Sequence, residues 1–298
     1  MYEEIAANRR NSWILVALVT AVLVVLGYLA GETWGMRYSG MFLAFVIALV
    51  SCLSAYFGGD KAVLTMSRAR RIQKSDSPQL FNVIEELSIA AGLPMPAVYV
   101  IDDTAPNAFA TGRDPGHASV AVTTGLLRKL NREELQGVMA HEMSHVGNRD
   151  ILFATMVGVL VGSVALVSDF FFRFPFFGRG GRRRTSLSGG GMGGFILLVI
   201  AFVFAALAPL ATKLLQLAVS REREYLADAS AVQLTRYPEG LASALEKISN
   251  DQEVLEVANR ATQHLYIINP IRPFEKRASS IFSTHPPVEY RVARLRLM

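Results

Sequence analysis

Four stretches of this chain carry no Asp, Glu, Lys, Arg or His: Trp13 to Gly31, Tyr38 to Gly59, Ile151 to Ser168, and Gly193 to Thr212. Each is about long enough, at ~1.5 Å per residue, to cross a ~30 Å hydrocarbon core as a helix. They group in two pairs and divide the polar sequence into blocks at Asp60 to Asp150 and Ser220 to Met298. In the first block, "SPQLFNVIEELSIAAGLPMP" places Leu80, Val83, Ile84 and Leu87 at helical spacing, with Ser77-Pro78 to start the helix and Gly92 and Pro94 to end it. "AVYVID", "NAFATG" and "ASVAVTTGLL" then read as three strands, with Asp114-Pro115-Gly116 turning the chain between the last two. In "NREELQGVMAHEMSHVG", Asn131 and Glu134 have the spacing of a capping box, which places the residues after Asn131 on a helix.

The expected fold class is a mainly α membrane protein: four transmembrane helices plus an α+β catalytic domain with a small β-sheet. Its parts are an N-terminal hairpin (1–60), the first catalytic part (61–150), a second membrane pair with a Gly/Arg-rich loop (151–219), and the second catalytic part (220–298). The first run follows Arg9 and Arg10, but Tyr28 stands where signal cleavage after Ala30 would need a small residue, so a retained anchor is expected. The single cysteine, Cys52, lies inside the second run, which rules out a disulfide framework and a cysteine metal site.

A formal net charge of +5 comes largely from basic residues flanking the apolar runs, which fits membrane surface rather than nucleic acid. Arg9, Arg10, Lys61, Arg68, Arg70, Arg71 and Lys74 flank the first pair, whereas the connection within it has only Arg37. By the positive-inside rule the polar blocks face the cytosol. The loop after the third run, with Arg173, Arg179, Arg182, Arg183 and Arg184, pulls the other way, and a second pair that dips in and returns stays open.

The chemistry is carried by His141-Glu142-Met143-Ser144-His145. Histidines four apart on a helix are offset by about 40° and one turn, so both rings can converge on one zinc ion. Glu142, ~100° round, stays out of the ligand set but within reach of a water, as a general base requires. A third ligand is needed. The metzincin extension is excluded, because Asn148 and Ile151 stand where it needs glycine and histidine. In "SREREYLADASAV", Glu224 and Asp228 share a helix face, so Glu224 completes a His₂Glu set and Asp228 orients a histidine ring; Glu222 projects about 200° away from Glu224. If His145 and Glu224 hold one ion, the chain between them must leave and return to the same membrane face, as two crossings allow.

With "AHEMSH", "SREREYLAD" and "STHPPVEYRVARL" in order over almost its whole length, the chain resembles the HtpX family of membrane zinc metallopeptidases, which is related to the CaaX prenyl proteases. The resemblance implies a zincin-like endopeptidase of the bacterial cytoplasmic membrane, cutting misfolded or damaged polypeptides on the cytosolic side in a stress response. It implies one Zn²⁺ held by His141, His145 and Glu224, with Glu142 as base and Asp228 behind the ligands. It also draws attention to His285 as an oxyanion donor and to Arg291. Asn107, Ala108, Phe109 and Ala110 lie on a strand whose edge suits an extended substrate peptide. Expected partners are polypeptide substrates, membrane lipids and other membrane quality-control proteases. Neither nucleic acid nor nucleotide is expected, since no G-x-x-x-x-G-K-S/T loop occurs. Rival readings are a prenyl-protein processing protease and a metal-stabilised scaffold or transporter; uncharged runs disfavour transport. His117 and His264 have no partner spacing and are expected at the surface.

Overall fold

Thirty residues, from Arg37 to Met66, form one continuous helix, α1 (Arg37–Met66), in the computed structural model. The structure describes residues 37–157, 221–253, 255, 265–268 and 286–298, with isolated positions between 6 and 28. The helix outruns the uncharged stretch by two turns, past Asp60 and Lys61, and ends where Arg68 takes a left-handed φ of 51°. Along its length Phe42, Leu43, Ile47, Val50, Leu53 and Phe57 are exposed, a surface that water would not tolerate over such a length and hydrocarbon would. Among the described residues, Tyr38–Met66 is the one stretch long and apolar enough to cross a membrane. The third and fourth apolar runs lie outside the described residues except for 151–157, which are helical.

After α1 the chain pairs at β1 (Arg70–Arg71), then enters α2 (Pro78–Ala91), whose buried stripe is Leu80, Val83, Ile84 and Leu87. Gly92 closes it at φ 65°, a left-handed conformation that glycine adopts without cost, its N–H bonded back to Ile89. Three more strands follow: β2 (Ala97–Ile101), β3 (Ala108–Gly112) and β4 (Ala118–Thr123). The sheet order is β1-β2-β4-β3, with β2 and β4 parallel and β3 antiparallel to β4, so β3 is an edge strand.

The strand expected over "ASVAVTTGLL", β4, is shorter than its sequence suggests, because Thr123 is a helix cap. Its hydroxyl accepts the Leu126 N–H at 3.1 Å and starts α3 (Thr124–Lys129), so "TGLL" is helical rather than extended. The capping box at Asn131 and Glu134 is formed and opens α4 (Arg132–Gly147). This helix is buried almost all round, between α2, β3, α5 (Arg221–Thr235) and α6 (Pro238–Asn250). The last helix, α7 (Val288–Leu295), packs on α6 and α5. The core thus has one hydrophobic cluster around α2, α4, α6 and the sheet, with a smaller one joining the end of α1 to Phe109 and Tyr266. Within it, α4, α5 and α7 each hold buried polar residues.

Candidate metal centre

Helix α4 would be an unremarkable core helix were its inward face not lined by His141, Glu142 and His145. The imidazole rings of His141 and His145 stand edge to face, with centroids 4.8 Å apart and planes at 88°. Their Nε2 atoms are 3.2 Å apart. From α5, Glu224 brings one carboxylate oxygen to 3.8 Å from the His141 Nε2 and the other to 3.6 Å from the His145 Nε2. All three ligand atoms lie within 4.8 Å of one another. Bonds of about 2.0–2.1 Å meeting at a tetrahedral angle put donor atoms about 3.3 Å apart, so the set fits a zinc-sized ion with small adjustments of Glu224. Glu222, the rival acid, is exposed.

The outer nitrogens of both rings are also held. His141 Nδ1 lies 3.0 Å from Asp228 on α5. Arg291 of α7 clamps the same carboxylate with two hydrogen bonds, Nε to Oδ2 at 2.9 Å and Nη2 to Oδ1 at 2.6 Å. It also reaches Glu224 at 3.4 Å and donates to the Ile267 carbonyl at 3.3 Å. With 1% exposure, Arg291 is among the largest fully buried side chains. His145 Nδ1 has its own acid, Asp150, at 3.0 Å.

The charges follow from this packing. Burial drives the Glu142 carboxyl up to about 7, with Glu224 adding to the rise and His145, the Ala110 N–H and Arg291 opposing it. For His141, burial lowers the pKa and Arg291 adds to the fall, which outweighs Asp228 and leaves a neutral ring suited to a metal. Burial also works against charge on His145, yet the bond to Asp150 and the fields of Glu224, Asp150 and Glu142 push it up to about 9. A metal arriving there must displace that proton. Against burial, which would raise it, Arg291 and His141 hold Asp228 down at about 2.

The strand expected to receive substrate, Asn107 to Gly112, is buried along its whole length, and its outer edge is occupied. The Ala108 carbonyl accepts the Ile267 N–H at 3.0 Å, and Asn107 Nδ2 donates to the Ile268 carbonyl at 3.0 Å. The Ala110 N–H bonds Glu142, and Gly112 N–H lies 3.4 Å from Thr155 Oγ1. Phe109 packs edge-on against Tyr266 at 5.1 Å.

His285 and His264 lie outside the described residues. His117 is exposed, as expected of a surface histidine, although it bonds Asp114 at 2.8 Å. Asp150 and residues 265–268 have no sequence signal that points to the site. An unbroken helix would carry Asp150 about 140° round from His145. The break at Arg149, with φ 59°, brings it back, and nothing in "GNRD" announces that.

A model of peptidase family M48 matches residues 74–298. The chain is 44% identical over 297 residues to a protein named Protease HtpX homolog from Dictyoglomus thermophilum, covering 100% of this chain and 94% of the relative. Identity to the proteins of the same name from Tropheryma whipplei strain Twist and Streptococcus gordonii is 46% and 40%, each over 299 residues; the alignments cover all of this chain and 98% and 100% of theirs. Among solved structures, the crystal structure of S. mikatae Ste24p has a similar fold, with a TM-score of 0.51 at 20% identity, covering 99% of this chain and 67% of that one.

Proposed function

The chain belongs to peptidase family M48 and is a membrane metalloprotease, and we propose that it is a zinc-dependent endopeptidase in which His141, His145 and Glu224 bind the metal and Glu142 is the base. The observation that carries this is the convergence of two imidazole Nε2 atoms and one carboxylate from a separate helix, beside a buried glutamate. A zinc ion there would polarise the scissile carbonyl and acidify the attacking water. Glu142 takes a proton from that water and passes it to the leaving nitrogen; its raised pKa, near 7, lets one carboxylate do both. Asp228 fixes the His141 ring with Nδ1 protonated and Nε2 free for the metal, and Arg291 holds Asp228 in place. His285 remains the proposed oxyanion donor.

Asn107 to Ala110 are proposed to hold an extended peptide by backbone hydrogen bonds, a mode that accepts many sequences and so suits damaged or misfolded chains. The basic residues around the first apolar pair support a site on the cytosolic side of the bacterial inner membrane, with lipids around α1 and companion quality-control proteases as proposed partners.

The test uses the full chain in detergent, stripped with chelator, with casein as substrate. Added zinc is expected to start cleavage by wild type. Glu142→Gln is expected to bind zinc yet cleave at least about 100-fold more slowly, the lower end of what general base catalysis contributes. Cleavage without metal, or full activity in Glu142→Gln, would overturn the reading.

A further inference from the structure

A buried acid that the proposed chemistry does not use sits against the second histidine. We propose that Asp150 is a positioning residue for His145, fixing its ring so that Nε2 faces the metal; this rests on the proposed metal site. Three observations converge on it.

First, Asp150 Oδ2 is 3.0 Å from His145 Nδ1, on the opposite side of the ring from the Nε2 that faces His141 and Glu224. A carboxylate there accepts a proton carried on Nδ1 and so selects the tautomer with Nε2 free. His141 is served in the same way by Asp228 at the same distance, so each imidazole has its own acid. Second, the chain is bent to make this contact. Helix α4 stops at Gly147, and Arg149 takes φ 59°, a conformation uncommon outside glycine, before the next helical stretch begins at Asp150. Third, the acid is itself braced. Arg223 lies 3.9 Å from Asp150 Oδ1 and holds its guanidinium over the Phe153 ring at 5.5 Å.

Arg223 immediately precedes Glu224, the proposed third ligand, while Asp150 immediately precedes the third apolar run and Phe153 lies at its start. One carboxylate therefore ties the second ligand to the helix bearing the third, across the long connection that includes both later runs. Asp150 sets the ring of His145 and also the spacing between the two ligand helices.

The test is zinc affinity of the detergent-solubilised full chain, measured by competition with a chromogenic chelator, together with the visible spectrum of the cobalt-loaded protein. Asp150→Ala is expected to lose about 10–100-fold in affinity and to shift the cobalt bands. Asp150→Asn, which keeps an acceptor for the Nδ1 proton, is expected to recover most of both. Unchanged affinity and spectrum in Asp150→Ala, or an Asn variant as weak as the Ala variant, overturns the proposal. Should the Ala variant not fold, ¹⁵N-histidine spectra of zinc-loaded wild type decide. Two metal-bound rings with hydrogen-bonded Nδ1 protons are expected, and a single one overturns it. Failure of wild type to bind zinc would instead sink the metal reading itself.

Discussion

Replacing Gly137 by alanine sets two effects of known sign against each other. Gly137 lies on α4 one turn before His141, where helix propensity alone favours alanine by about 1 kcal/mol. A Cβ at this position would stand 2.6 Å from the Leu241 nitrogen, 2.8 Å from its Cα and 3.0 Å from the Gly240 carbonyl carbon. Ordinary contact begins at 3.4 Å, so α4 and α6 would have to part by about 0.8 Å, and because all three atoms are backbone no side chain can swing aside. Overpacking of this kind sits at the upper end of its range, about 3 kcal/mol, which leaves a net loss of about 2 kcal/mol. Gly147, on the same helix, is the control. Its added Cβ would meet only Leu93 Cδ1 at 3.5 Å, so Gly147→Ala is expected to be neutral or stabilising by up to about 1 kcal/mol. Thermal unfolding in detergent at one scan rate compares the two, with zinc affinity as a second readout because the displaced turn carries His141. If Gly137→Ala unfolds at or above the temperature of Gly147→Ala, the close α4–α6 contact does not determine the stability of this helix.

Two further outcomes are expected. Glu134 caps Asn131 and accepts from Ser243 at 2.6 Å and Lys247 at 2.8 Å, and despite burial these partners hold its pKa below 4.5. A depressed acid contributes stability above its unfolded pKa and loses it as pH falls through the folded one, so Glu134→Gln should cost about 2 kcal/mol at pH 7 and progressively less below about pH 4.5. Chemical denaturation across pH 3–8, roughly the span of that titration, measures this; a pH-independent difference would contradict it. At the proposed substrate edge, a peptide that adds to β3 must take the Ala108 carbonyl from Ile267 and the Asn107 amide from Ile268. In zinc-loaded Glu142→Gln with bound peptide, hydrogen exchange at the Ile267 amide should accelerate; unchanged protection would place the peptide elsewhere.

The sequence made the local parts of the site legible and left the long-range parts hidden. Helical spacing paired His141 with His145 and Glu224 with Asp228, and the Asn131 cap set where α4 begins, because each of these relations spans at most one turn. The parallel pairing of β2 with β4, the two-residue β1 and the seating of residues 265–268 on β3 depend on contacts between distant segments, for which no short pattern exists. Asp150 was hidden for another reason: it follows a backbone break at Arg149, a residue whose type gives no sign of left-handed geometry.

Arg291 is different: the family resemblance drew attention to it, and the residues around it carry a signal of their own. In "VEYRVARL" the buried positions are Val288, Arg291, Val292 and Leu295, at i, i+3, i+4 and i+7, so the arginine stands on the apolar stripe of its own helix. In α5 four of the five buried residues, Glu224, Ala227, Asp228 and Ala231, have the same spacing, Arg223 being the fifth. An unpaired charge on such a stripe would cost several kcal/mol, so a core-facing arginine and core-facing acids in one chain each require a partner of opposite charge, which the other can supply. The bidentate Arg291–Asp228 pair is that solution, and it buries a polar cluster against His141 where packing alone would have placed leucines. A fold that needed only stability would gain by filling this space with hydrocarbon, since buried ion pairs seldom outperform well-packed apolar side chains. The proposed metal site accounts for their presence here, since it needs His141 held in one tautomer more than the core needs the last increment of stability.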